Sequence, residues 1–144
     1  MQPLDKNTLF SIFEQGDEHI YEEHGLEDTL NNPYVLMNMV VKGLENYKIM
    51  DKMYMHQYPK RYKATRKAIQ YKYFNKLLSY LKRIDKSHFD DKYQIGDSYE
   101  LMHNIFMLES FMYYYEGLEQ YEKCAIIKNY VGLLESYRVP ALES

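Results

Sequence analysis

The sequence predicts an all-α fold: a compact bundle of about five helices, mostly up-and-down, forming a single helical domain over residues 1–144. Three observations predict it. Apolar residues recur at helical spacing through long segments, and no segment alternates convincingly as a strand does. Glycine (6) and proline (4) are few, and most of them fall between the periodic segments. The chain, at 144 residues, is long enough to bury a core without covalent staples, and its single cysteine, Cys124, excludes an internal disulfide framework.

The elements follow in order. The first helix is expected from about Asn7 to His24, with Leu9, Phe10, Phe13 and Ile20 as apolar positions and Gly25 as its stop. The second is expected from Pro33 to about Gln57, because Asn32 suits an N-cap and proline is accepted at the first helical position. Its stripe is Met37, Val40, Val41, Leu44, Tyr47, Met50 and Tyr54, and further apolar residues (Leu36, Met39, Ile49, Met53, Met55) lie outside it. A helix apolar on most sides is expected to be central, with its methionines filling gaps in the core. Pro59 disfavours helical geometry at Tyr58, so a corner separates this helix from the third, expected from about Lys60 to Ile84. A loop, "DKSHFDDKYQIG", precedes the fourth helix, where Asp97 and Glu100 have capping-box spacing and Leu101, Ile105, Leu108, Met112 and Tyr115 form the buried stripe. That helix is expected to end near Gly117 and to pair with a fifth, from about Glu119 to Tyr137, which Pro140 stops.

Composition narrows the function classes. Net charge is −3, and no apolar run approaches the roughly 18 residues of a membrane span. The start, "MQPLDKNTLF", lacks the basic and apolar regions of a signal peptide, and one thiol suits a reducing compartment. A soluble cytoplasmic protein is therefore expected, with no membrane partner. Tyrosine is over-used, at 17 against 6 Phe and no Trp, which suits half-buried positions where a ring packs and its hydroxyl stays wet. Lysine far outnumbers arginine, a bias that fits an AT-rich genome such as that of a low-GC bacterium or a phage.

Charge is unevenly laid out along the chain. From Lys52 to Arg83 there are ten Lys or Arg and no Asp or Glu. At about 100° per residue, Tyr62, Ile69, Tyr73, Phe74, Leu77, Tyr80, Leu81 and Ile84 cluster on one half of the third helix. Lys60, Arg61, Lys67, Lys72, Lys76, Lys82 and Arg83 fall on the other half. Lys63 and Arg66 intrude on the apolar side near the helix start, where long stems can reach outward.

Seven cations on one face repel one another, so an anion is expected beside them. One source is the chain itself. Residues 7–41 contain seven acids and no Lys or Arg, so the acidic helix 7–24 would neutralise the basic one, within a chain or across a homodimer. Another is nucleic acid, because a continuous cationic face can follow a phosphate backbone. Lysine binds phosphate as a point charge, whereas base reading favours arginine, so backbone binding with little sequence preference is expected. Only Tyr71 sits among the cations as a stacking ring. A third source is an acidic protein partner.

Catalytic and metal patterns are sparse. His19/Glu23, Glu100/His103 and Asp85/His88 have spacings that share a helix face. A diiron bundle needs Glu-x-x-His twice plus two further glutamates, and that pattern occurs once here, so no metal or cofactor is expected. Zinc is disfavoured by one Cys and no clustered His pair. No Ser/His/Asp arrangement or phosphate-cradling glycine loop is present.

Two short segments resemble known families. "RIDKSH" places four residues between Arg83 and His88 and resembles the Arg-x4–6-His motif of the HEPN ribonucleases and toxins, with Ile84 where that family usually has a polar residue. The resemblance implies RNA cleavage by Arg83 and His88. "YYYEGLEQYEKCAIIKNYVGLLE", residues 113–135, resembles the UVR motif, with Tyr121, Glu122, Cys124, Ala125 and Val131 in corresponding places and Lys128-Asn129 for the usual Arg-Asp. That resemblance implies a helical hairpin that contacts another protein by helix pairing. Taken together, the sequence predicts a small non-catalytic accessory protein whose basic helix meets nucleic-acid backbone. The alternatives are a homo-oligomeric interaction module and a HEPN-like ribonuclease.

Overall fold

The computed structural model describes residues 32–86 and 98–137, and every helix expected there is present. The first expected helix, 7–24, and the capping residue Asp97 lie outside the described residues. The four described helices are α1 (Pro33–Gln57), α2 (Pro59–Lys82), α3 (Ser98–Gly117) and α4 (Tyr121–Glu135). No residue among those described is in a strand. The contacts group the chain into two units, residues 1–84 and 85–144, each built around one helical hairpin.

In the first unit, Asn32 caps α1 as its side chain predicts: Oδ1 accepts from the backbone N–H of Tyr34 at 2.8 Å and of Val35 at 3.4 Å. Pro33 occupies the first helical position. Tyr58 (φ −135°, ψ 58°) leaves helical geometry before Pro59, and the chain reverses on that one residue into α2. Contacts between the two helices run in opposite directions along the chain: Tyr47 packs on Phe74, and Tyr54 on Tyr62. The pair is therefore antiparallel.

Its core is Leu36, Met37, Val40, Leu44 and Tyr47 against Tyr73, Phe74, Leu77, Leu78 and Leu81. All eight apolar positions expected of α2 and its end are buried, and Leu78 joins them. The all-round apolar character of α1 divides by position. Leu36 is buried, while Ile49 (65% exposed) and Met53 (43%) open to solvent on the C-terminal half.

At Gly43 α1 and α2 approach closely. A Cβ there would run into Cδ2 of the fully buried Leu77. The Tyr73 hydroxyl donates to the Gly43 carbonyl at 2.9 Å, a buried hydrogen bond that the bare backbone permits.

In the second unit, α3 and α4 pair through Leu101, Ile105, Leu108, Phe111 and Tyr115 on one side and Ile127, Tyr130, Val131 and Leu134 on the other. The turn between them is a Schellman motif. The Gln120 N–H bonds the Tyr115 carbonyl at 3.0 Å, and the Glu119 N–H bonds the Glu116 carbonyl at 2.9 Å. The left-handed residue this requires is Glu119 (φ 59°), two positions beyond the glycine that marks the helix end in the sequence. Cys124 is half-buried, and its S–H donates to the Met112 carbonyl at 3.4 Å across the hairpin.

Candidate nucleic-acid interface

The cationic face of α2 exists because the apolar face is taken. With Tyr62, Ile69, Tyr73, Leu77 and Leu81 turned inward, the remaining positions of a regular helix must point out. Lys60, Arg61, Lys67, Lys72, Lys82 and Arg83 are all exposed, as their spacing predicts. Lys76 differs: it is half-buried, with its ammonium 5.3 Å from the centroid of the Tyr80 ring. Lys63, expected to intrude on the apolar side, is exposed and joins the cationic face. Among the described residues, Lys60, Arg61, Lys63, Lys67 and Lys82 meet no carboxylate.

Arg66 follows neither half of the wheel. It turns back across the hairpin to Asp51 of α1 in a bidentate pair, Nε to Oδ1 at 2.7 Å and Nη2 to Oδ2 at 2.6 Å. Two tyrosines complete the cluster. The Tyr62 hydroxyl donates to Asp51 Oδ1 at 2.8 Å and the Tyr47 hydroxyl at 3.4 Å. Burial alone would push the Asp51 carboxyl up. Hydrogen bonds from Arg66 and Tyr62, with the charge of Arg66, outweigh it and hold the carboxyl below the ordinary value. Burial and the Asp51 charge push Tyr47 up to about 12. Burial and the bond to Asp51 push Tyr62 up further, and the bonds to Asp51 hold Arg66 more firmly protonated.

The cluster removes one cation from the outward set and anchors the α2 start. A sequence signal for it exists. Asp51 is the last acid before the acid-free stretch 52–83, Tyr47 precedes it by four, and Tyr62 precedes Arg66 by four. Two i, i+4 pairs reflected about the Pro59 corner bring four polar heads together.

The remaining candidates are placed as follows. Arg83 sits just past α2, while His88 lies outside the described residues. Tyr71 is 37% exposed on the cationic face. Of the UVR-like residues, Tyr121, Glu122, Ala125, Lys128 and Asn129 are exposed on α4 and Val131 is buried. No group of three or more metal-ligating side chains forms among the described residues, and none of the described helices is long and apolar enough to cross a membrane. No family model, curated protein or solved structure matches the chain.

Proposed function

We propose that this protein binds nucleic-acid backbone through the outer face of α2, without catalysis. The observation that carries the reading is the run of exposed Lys60, Arg61, Lys63, Lys67 and Lys82, with no acidic residue anywhere on the helix and no carboxylate beside these five among the described residues. Phosphates would replace their mutual repulsion with attraction. Lysine dominance favours affinity for the backbone over sequence reading.

Fluorescence anisotropy with a labelled duplex and a labelled single strand over a salt series tests this. Five phosphate contacts on duplex DNA give a slope of log affinity against log salt near about −4.5. Lys63→Glu with Lys67→Glu weakens binding to every sequence alike. Absence of binding to any DNA or RNA at low salt rejects the reading.

The ribonuclease reading rests on Arg83 and His88. It predicts RNA cleavage that His88→Ala abolishes, and equal cleavage by both proteins, or none, removes it.

A further inference from the structure

One helix of the second unit is apolar on two opposite sides. On α3, Leu101, Ile105, Leu108, Phe111 and Tyr115 are buried, yet Tyr99 (82% exposed), Met102 (40%), Phe106 (61%) and Tyr113 (58%) stand in solvent. At about 100° per residue these four fall within a strip about 60° wide, diametrically opposite the buried face. A helix with large apolar residues on both faces is expected to be covered on both. Glu109 and Glu116 lie along one edge of the strip, and α3 carries three acids (Glu100, Glu109, Glu116) and no Lys or Arg. What covers it must therefore be apolar or small at its centre and basic along the edge that meets Glu109 and Glu116.

The outer face of α2 has that composition. Ala64, Ala68, Tyr71 and Ser79 run along its middle at spacings of four, three and eight, all exposed. Lys60, Lys63 and Lys67 lie along one edge, and Arg61 and Lys72 along the other. Small residues on α2 offer holes to the rings of α3, and lysine stems cover rings while their ammonium heads reach carboxylates. Both edges of α2 are basic, so Glu109 and Glu116 meet opposite charge whichever way the helices run. The lengths agree as well: at about 1.5 Å per residue the two strips are each about 21–23 Å long.

We propose that a second copy of this chain covers the aromatic face of α3 with the cationic face of its α2. Each copy carries one α2 and one α3, so each has both of the surfaces that the contact joins. Self-association and nucleic acid then compete for the same lysines. The inference does not depend on the nucleic-acid reading, and either can fail alone.

Sedimentation of the full chain at low salt and at about 1 M salt, where the Debye length is about 3 Å, tests it. The expected result is a species of at least twice the 17.5 kDa chain mass at low salt that loosens at high salt. Phe106→Ala weakens the association by about tenfold or more. K63E/K67E and E109K/E116K are each monomeric, with unchanged far-UV circular dichroism. Mixed in equal amounts they associate again, because each then offers the charge the other lacks. E109K/E116K retains nucleic-acid binding, since its α2 is untouched. A wild-type chain that stays monomeric at low salt overturns the proposal, as does a mixture of the two folded variants that fails to associate.

Discussion

The two helical hairpins solve the same packing problem with different materials. The α1–α2 pair combines an apolar core with a dense polar anchor. Asp51 gathers Arg66, Tyr62 and Tyr47, and Tyr73 bonds the Gly43 backbone where the helices nearly touch. The α3–α4 pair is joined by apolar contact, yet buries Asn104 at 3% exposure with its amide nitrogen unpaired among the described residues. Its turn also places a glutamate in left-handed geometry. Outer faces differ as well: cations cover α2, whereas rings stand on α3. The polar groups between the helices of the first hairpin are thus matched with partners, and in the second two positions carry a local cost. A buried amide without a partner loses about 1–3 kcal/mol of solvation, and a left-handed non-glycine residue costs about 1–2 kcal/mol. The second hairpin has more room for improvement by substitution.

The sharpest way to break this comparison is at the glycines. Gly43→Val forces methyl groups into Leu77 and should destabilise the chain by about 2–3 kcal/mol, read as a fall in the urea midpoint with unchanged slope. Gly132 on α4 has open space around its missing Cβ, so Gly132→Ala should instead stabilise by about 0.5–1 kcal/mol. Equal effects at the two sites would mean that close helix approach does not distinguish the hairpins.

Next in size is the polar anchor. Asp51→Asn should cost about 1–2 kcal/mol, discounted because Arg66 is partly exposed. The pH dependence has a definite sign. The Asp51 carboxyl is held below its unfolded value, so its contribution is fully present above about pH 4 and is lost as the pH falls through the folded pKa. Wild type minus Asp51→Asn stability should therefore shrink below about pH 4 and stay level at neutral pH. A difference that grows on acidification would contradict the assignment.

On the other hairpin, Asn104→Leu removes the unpaired amide and should stabilise by about 1–2 kcal/mol. Loss of stability there would show that the amide has a partner the comparison overlooks. Smallest is the turn: Glu119→Gly keeps the Schellman geometry without a Cβ and should add about 0.5–1 kcal/mol, measurable as a modest rise in melting temperature.

Much of the first hairpin can be read before any coordinates. Asn32-Pro33 starts α1 and Pro59 turns the chain, because capping and the missing proline N–H act within a few residues. The face of α2 is legible for a related reason: eight cations and no acid on the helix leave the apolar residues as the only ones that can turn inward. Arg66 is the exception, since its direction depends on a carboxylate fifteen positions back that only the antiparallel pairing brings near. On α3 the same wheel finds Leu101, Ile105, Leu108 and Tyr115, while Met112, expected with them, is only half-buried. Met107 and Phe111 are buried and Phe106 is not, because apolar residues fill both sides of the helix and periodicity cannot choose between them. Glu119 escapes too, since Gly117 is the stronger local signal for a helix end.

For the four described helices, existence, type and most boundaries were written into the chain itself, because turns, caps and 3.6-residue periodicity depend on neighbours within one or two turns. Which side of α3 faces a partner, where Arg66 points, and that Gly43 must lack a side chain came only from the packed pairs. Each of these depends on an atom far away in the chain, and no local pattern encodes how closely two helices approach.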